Sequence, residues 1–219
     1  MTDRSPERAA WDRHPNIAGP ASTLLAIHDQ FREASRRIES LVNREPPDVE
    51  WVRRAFRPLA ITLHHHHHAE EEMLFPMVLK RTGTAPEQLV RDHKVLTDAI
   101  AAVEVALSDG DTIKARATIA SFDEILVEHL AREDALVIPV LLEMPAREAW
   151  ALLTDRIARY ARRAALRQRR FWGKSGPPID SLGTAERIAA SPETLGSGSA
   201  QLTWRPTLSD RAGRDYPAV

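Results

Sequence analysis

Two stretches of this chain, HHHAEEEMLFP at residues 66–76 and HLAREDALVIP at 129–139, each carry a histidine, a glutamate four residues later and a proline ten residues later, offset by 63 residues. Two others, LLAIHDQF at 24–31 and LVRDHKVL at 89–96, set a histidine at the same point of the same apolar frame, offset by 65. Nearly equal offsets make the second pair of segments a copy of the first. A chain built this way is constrained to repeat one hairpin twice.

The repeated segments have helical periodicity. Leu24, Leu25, His28, Phe31, Ile38, Leu41 and Val42 form one stripe of period 3.6 over about 21–43. A second helical region, about 48–81, places Leu59, Leu63, His66, Glu70, Leu74 and Met77 on one side. Pro58 and Pro76 lie inside it, which predicts a kink or restart near Arg57 and a kink or stop near Phe75. The third helix begins after Thr84 and Pro86, carries Leu89, Val90, His93, Leu96, Ile100 and Leu107, and ends at Asp109-Gly110-Asp111. The fourth, about 112–143, carries Phe122, Ile125, Leu126, His129, Glu133, Leu136 and Val140, with Pro139 interrupting its distal end. Two helix hairpins related by a pseudo-twofold, with short connections, predict an all-α fold: an antiparallel up-down four-helix bundle over residues 21–145. Residues 1–20 read as a flexible N-terminal arm. Residues 146–172 read as an additional, basic fifth helix with seven arginines in 156–172, and residues 173–219 as an irregular C-terminal tail.

Composition narrows the chemistry. The 219 residues hold no cysteine, which removes disulfides, thiolate catalysis and thiolate-bound zinc or iron–sulfur clusters. Any metal must then be held by His, Asp and Glu, a donor set suited to iron, manganese or zinc. A formal net charge of −1 gives no reason to expect nucleic acid or an anionic membrane as the main partner. No apolar run is long enough to span a bilayer and the first residues lack a signal-peptide core, so the expected location is cytoplasmic.

His28, His66, Glu70, His93, His129 and Glu133 all fall on the apolar stripes of their helices. The four-residue spacing in each His-x-x-x-Glu pair stacks the two side chains on one helix face. Burying these groups without partners would cost on the order of several kcal/mol each. A pair of metal cations compensates them directly. If both glutamates bridge two six-coordinate ions, four or five histidines and a bridging oxygen still leave about one or two positions open to an exogenous ligand.

These residues resemble the hemerythrin HHE cation-binding family: a lone histidine on the first helix (His28), HHxxEExxxFP on the second (His66, His67, Glu70, Glu71, Phe75, Pro76), a histidine on the third (His93), and HxxxE with a downstream proline on the fourth (His129, Glu133, Pro139). The resemblance spans about residues 20–145. It implies a non-heme di-iron centre, two iron ions joined by an oxo or hydroxo bridge, with manganese or zinc as alternatives. It also implies a small diatomic or peroxide ligand, bound for oxygen or redox sensing or for detoxification. In two places the chain departs from the oxygen-carrying members. Thr97 stands where they have a second histidine on the third helix, and Glu133 is at spacing four where they have an aspartate at spacing five. Both differences point to the bacterial HHE branch rather than to oxygen storage.

Other assignments stay open at this level. His67 lies about 100° around the helix from His66, at the edge of the inward arc, and is placed with the metal-binding set without the spacing deciding it. His64, His65 and His68 point away from Glu70 and read as solvated. Glu71 and Asp134 follow the two paired glutamates and are either acceptors orienting imidazoles or solvated charges. A di-iron oxidase or oxygenase acting on a small organic substrate is the second functional reading, and a non-redox metal-binding interaction module the third. With tyrosine only at 160 and 216, the four helices can supply neither a tyrosinate ligand nor a tyrosyl radical. The basic helix and tail are where a dimer or protein partner would dock.

Overall fold

Caps and turn glycines divide the chain where its periodicity breaks. In the computed structural model, which describes residues 6–145 and 147–151, the elements are α1 (Pro6–Trp11), α2 (Pro20–Val42), α3 (Val49–Ala69), a π-helical turn over Glu70–Leu74, α4 (Phe75–Thr82), α5 (Glu87–Asp109) and α6 (Thr112–Leu142). Asp48 accepts from the Trp51 amide at 3.0 Å and Asp111 from the Lys114 amide at 2.9 Å. Each satisfies a donor that a helix N-terminus otherwise leaves bare. Gly83 and Gly110 end α4 and α5 in the left-handed region, at φ of 73° and 69°, where a side chain would be strained.

The four long helices pack as a helical bundle in which α2 and α5 each contact both α3 and α6. Two apolar clusters fill its interior. One contains Phe31 of α2, Leu63 of α3, Leu96 of α5 and Leu130 of α6. The other contains Leu25 of α2, Leu74 of the π turn, Leu89 of α5 and Val137 of α6. On every long helix the ionisable residues lie between the two: His28 between Leu25 and Phe31, Glu70 between Leu63 and Leu74, His93 between Leu89 and Leu96, Glu133 between Leu130 and Val137. A polar layer therefore interrupts the core. The order of clusters along the chain reverses from each long helix to the next. Two contacts between α2 and α6 run in opposite senses as well, His28 meeting Asp134 while Arg116 donates to the Val42 carbonyl.

Two of the three helix prolines, Pro58 and Pro139, behave differently from expectation. α3 runs unbroken through Pro58 and α6 continues past Pro139 to Leu142. The irregularity expected near Phe75 is present: Glu70–Leu74 form the π-helical turn, in which the Phe75 amide reaches back to the Glu70 carbonyl, and α4 starts at Phe75. Pro76 then sits in the first turn of α4, where its missing amide donor costs nothing. Val90 and Leu136, assigned to inward faces by their apolar character, are 45% and 42% exposed. Val90 is about 100° around from Leu89 and so falls off the buried stripe.

The polar N-terminal segment is a second difference. Within the expected flexible arm, residues 6–19 carry α1 and are tied to the bundle. Arg8 bonds Asp29 at 3.0 Å, Asn16 Nδ2 donates to the Leu142 carbonyl at 2.8 Å, and Trp11 and Ile17 pack against the second apolar cluster. Two apolar anchors hidden in a polar segment account for the docking. Residues 147–151 are helical; the remainder of the expected basic helix and the tail from 173 lie outside the described residues. Among the described residues no helix is long and apolar enough to cross a membrane.

Phe122 is 1% exposed and meets Phe56 edge-on at 5.3 Å, whereas Ile113 is 81% exposed. Phe122→Ala is expected to lower stability by about 3–5 kcal/mol and Ile113→Ala by no more than about 0.5, as read by urea unfolding.

Candidate metal centre

All seven side chains singled out in the sequence converge in the polar layer. They form two donor groups, each with its donor atoms within 4.8 Å of one another: His67, His93 and His129 in one, His28, His66, Glu70 and Glu133 in the other. The carboxylates lie between the groups. Glu70 Oε1 is 2.7 Å from His66 Nε2 and 4.0 Å from His28 Nε2, while its Oε2 faces His93 Nε2 at 3.5 Å. Glu133 Oε2 is 3.4 Å from His28 Nε2 and 3.6 Å from His129 Nε2. Separations near 3–3.5 Å are about what neighbouring ligands on one ion show when each bond is about 2.0–2.2 Å.

The centre is short of hydrogen bonds. His67 Nε2, His93 Nε2, both ring nitrogens of His129 and all four oxygens of Glu70 and Glu133 are buried and lack a hydrogen-bond partner. The 2.7 Å approach of His66 to Glu70 is a close contact without hydrogen-bond direction. Native interiors rarely leave buried polar atoms unpaired, still less several in one place. The donor set fits a metal.

Outside this layer, carboxylates hold the rings. Asp134 Oδ1 accepts from His28 Nδ1 at 2.7 Å and is itself held by Arg32 at 2.6 Å. Glu71 Oε1 accepts from His93 Nδ1, also at 2.7 Å. Accepting partners at Nδ1 leave Nε2 as the lone-pair nitrogen turned toward the centre. These two pairs are related by the sequence repeat: the residue after each paired glutamate orients the lone histidine of the other hairpin. The orienting role thus holds for Glu71 and Asp134. Asp92 is a residue that sequence reasoning missed. It is 5% exposed, takes hydrogen bonds from Gln88 at 2.8 Å and Arg132 at 2.9 Å, and stands 3.7 Å from His129 Nδ1. The signal that could have found it is an acid on the same face as Leu89 and Leu96; the repeat gave no help, since its counterpart is Ile27.

His67 is settled in position. Its ring is 6% exposed and stacks on His93 at 3.9 Å with 7° between planes. Phe75 packs on His93 as well, at 5.4 Å. Thr97, one turn after His93, bonds back to the His93 carbonyl at 2.8 Å. The imidazole that α5 lacks at position 97 is thus supplied to the layer by α3. His64 and His65 are exposed, and His68 approaches Glu72 at 3.8 Å, so these three stay outside both donor groups.

Burial and neighbouring charge shift the titrations. Burial, then the nearby His93, pushes His67 down to about 2 and His129 to about 4. For His28 and His93, burial also lowers the pKa, but the hydrogen bond to Asp134 and the nearby Glu70 outweigh it in His28, and the nearby Glu70 and the hydrogen bond to Glu71 do so in His93, raising both. The glutamates are driven apart. Burial and the charge of Glu70 hold Glu133 well above the usual carboxylate range; in Glu70 the opposing effect of burial is overcome by His66, His28 and His93, which hold it well below. Two carboxylates sharing one dry site cannot both ionise cheaply without a cation.

The hemerythrin HHE cation-binding domain model matches residues 19–141. The chain belongs to that family. No curated protein and no solved structure matches it. The matched span of the HHE domain begins just before α2 and ends within the last turn of α6, so it contains every residue of both donor groups. The HHE domain of this chain is a metal-binding helical bundle whose His and Glu cluster is able to hold a metal.

The pKa directions fix the acid behaviour of the metal-free domain. His67 and His129 take up protons near 6.5 when unfolded but only at about 2 and about 4 when folded, so their contribution is present above 6.5 and lost as pH falls. His28 and His93, raised when folded, change only above 6.5; Glu133 opposes with at most one proton taken up by the folded state. Stability is expected to fall from pH 6.5 toward 4.5 in urea titrations, and His67→Leu to flatten that slope.

Proposed function

We infer that the two donor groups hold two iron ions, with Glu70 and Glu133 bridging them, His67, His93 and His129 completing one side and His28 and His66 the other. The observation that carries this reading is the placement of both carboxylates between the groups, each with an oxygen within 3.6 Å of imidazoles on both sides or with its two oxygens facing opposite sides. Five imidazoles and two bridging carboxylates supply about nine donors to ions that accept about twelve, which leaves positions for an exogenous ligand. An iron pair brings Lewis acidity and one-electron redox chemistry toward dioxygen, peroxide or nitric oxide, and the function that follows is sensing or detoxification of such molecules. The chain's own part is to place and hold the donors. Asp134 and Glu71 accept from Nδ1 of His28 and His93, so that Nε2 stays aimed inward, and Asp92 stands 3.7 Å from Nδ1 of His129. The apolar clusters on either side exclude bulk water from the layer.

The same reading takes the four long helices as an antiparallel up-down bundle. Its support is the alternation of the two apolar clusters along successive helices and the opposed contacts of α2 with α6. In an up-down bundle all four helices present their mid-length residues at one level, which brings isolated histidines and glutamates from distant parts of the chain together.

Purified protein is expected to contain two irons per chain by elemental analysis and to change its visible spectrum on addition of nitric oxide. His93→Ala, which removes a donor from one group only, is expected to lower the content to about one; full content in that variant would contradict the assignment.

A further inference from the structure

The exposed part of the histidine run is not used by the centre, yet it borders a cleft that reaches one of the centre's donors. A cleft of about 320 Å³ between α3 and α5 is lined by the exposed His64, His65, Thr97 and Glu104, by the half-buried Ile100 and by the buried His67. His67 is a member of a buried donor group, and its Nε2 has no partner. Of the other core donors, His28, His129 and Glu133 are 0% exposed and Glu70 and His93 are buried, while His66 is half-buried. A hydrated cation has to reach them through an opening.

We propose that this cleft is the path by which a divalent first-row metal ion enters the centre, with His64, His65 and Glu104 as transient ligands at its mouth and His67 as the first permanent ligand it meets. The inference rests on the metal-centre reading above. Two imidazoles and a carboxylate form a donor set for such ions. A carboxylate at the mouth disfavours anions, and an uncharged gas needs neither imidazole nor carboxylate to pass. Spacing supports a hand-over along α3, since His64 and His67 are three residues apart and therefore neighbours on the helix surface. On the facing helix, Thr97, Ile100 and Glu104 follow one another at three and four residues along a single face of α5. Thr97 is a small lining residue, and a longer side chain there would narrow the cleft. Each donor replaces waters of the ion in turn, so the ion loses its hydration stepwise.

The test is cobalt(II) uptake by the metal-free full-length protein, followed by the visible absorption of the bound ion. Combined His64→Ala, His65→Ala and Glu104→Gln substitutions, all at exposed positions, are expected to slow uptake about tenfold, the low end of what a charged rim does to on-rates, with final stoichiometry unchanged. His68→Ala, outside the cleft, is expected to leave the rate as it was. An unchanged rate in the triple variant overturns the path, as does equal slowing by His68→Ala. A fall in final stoichiometry overturns it too, because the three would then be permanent ligands. Wild-type protein that takes up no cobalt overturns the metal-centre reading itself, a result distinct from the others.

Discussion

Glu70 and Glu133 face each other's histidines across a dry layer, and the bundle is fitted to that constraint. Each carboxylate is held almost free of water, 3% and 0% exposed, without a hydrogen bond to either oxygen. In an apolar core this arrangement is among the most costly a chain can bury. It is tolerable when charge of opposite sign sits between the groups. The two apolar clusters supply the folding drive, and the layer between them spends part of it, which makes metal binding and folding one coupled equilibrium.

The supporting shell is arranged with the same logic. Three histidines are each faced by a carboxylate at Nδ1, and two of those carboxylates are in turn braced by an arginine, Arg32 for Asp134 and Arg132 for Asp92. A carboxylate tied to an arginine resists protonation and keeps its direction. Asp134 is accordingly lowered, its own burial being overcome by His28 and Arg32. The centre is thus buffered against rotation of its rings. The π-helical turn falls at the point where α3 delivers its glutamate, which agrees with the frequent placement of such turns at functional sites.

Much of this was legible in the sequence, and for a definite reason. A repeat that places histidines and glutamates where leucines belong reports both the helix faces and what those faces meet. The convergence of His28, His66, Glu70, His93, His129 and Glu133 in one layer could therefore be read without knowledge of the fold. His67 could not be decided by helical angle alone, because the edge of an inward arc is either buried or exposed according to what the neighbouring helix offers; a threonine at 97 on α5 leaves the space its ring occupies. Asp92 escaped because it has no counterpart in the other half. The docking of residues 6–19 escaped because single anchors such as Trp11 and Ile17 carry no periodicity. Pro58 and Pro139 misled in the other direction: a proline's local cost was outweighed by the packing of the helix around it.

The central claim is that two ions share Glu70 and Glu133, and X-ray absorption at the iron edge of the loaded protein tests it most directly. Bridging carboxylates hold two metals within about 4 Å of each other. The account predicts an iron–iron scattering shell at no more than that distance. Iron bound with nitrogen and oxygen neighbours but no second iron within that range would contradict it.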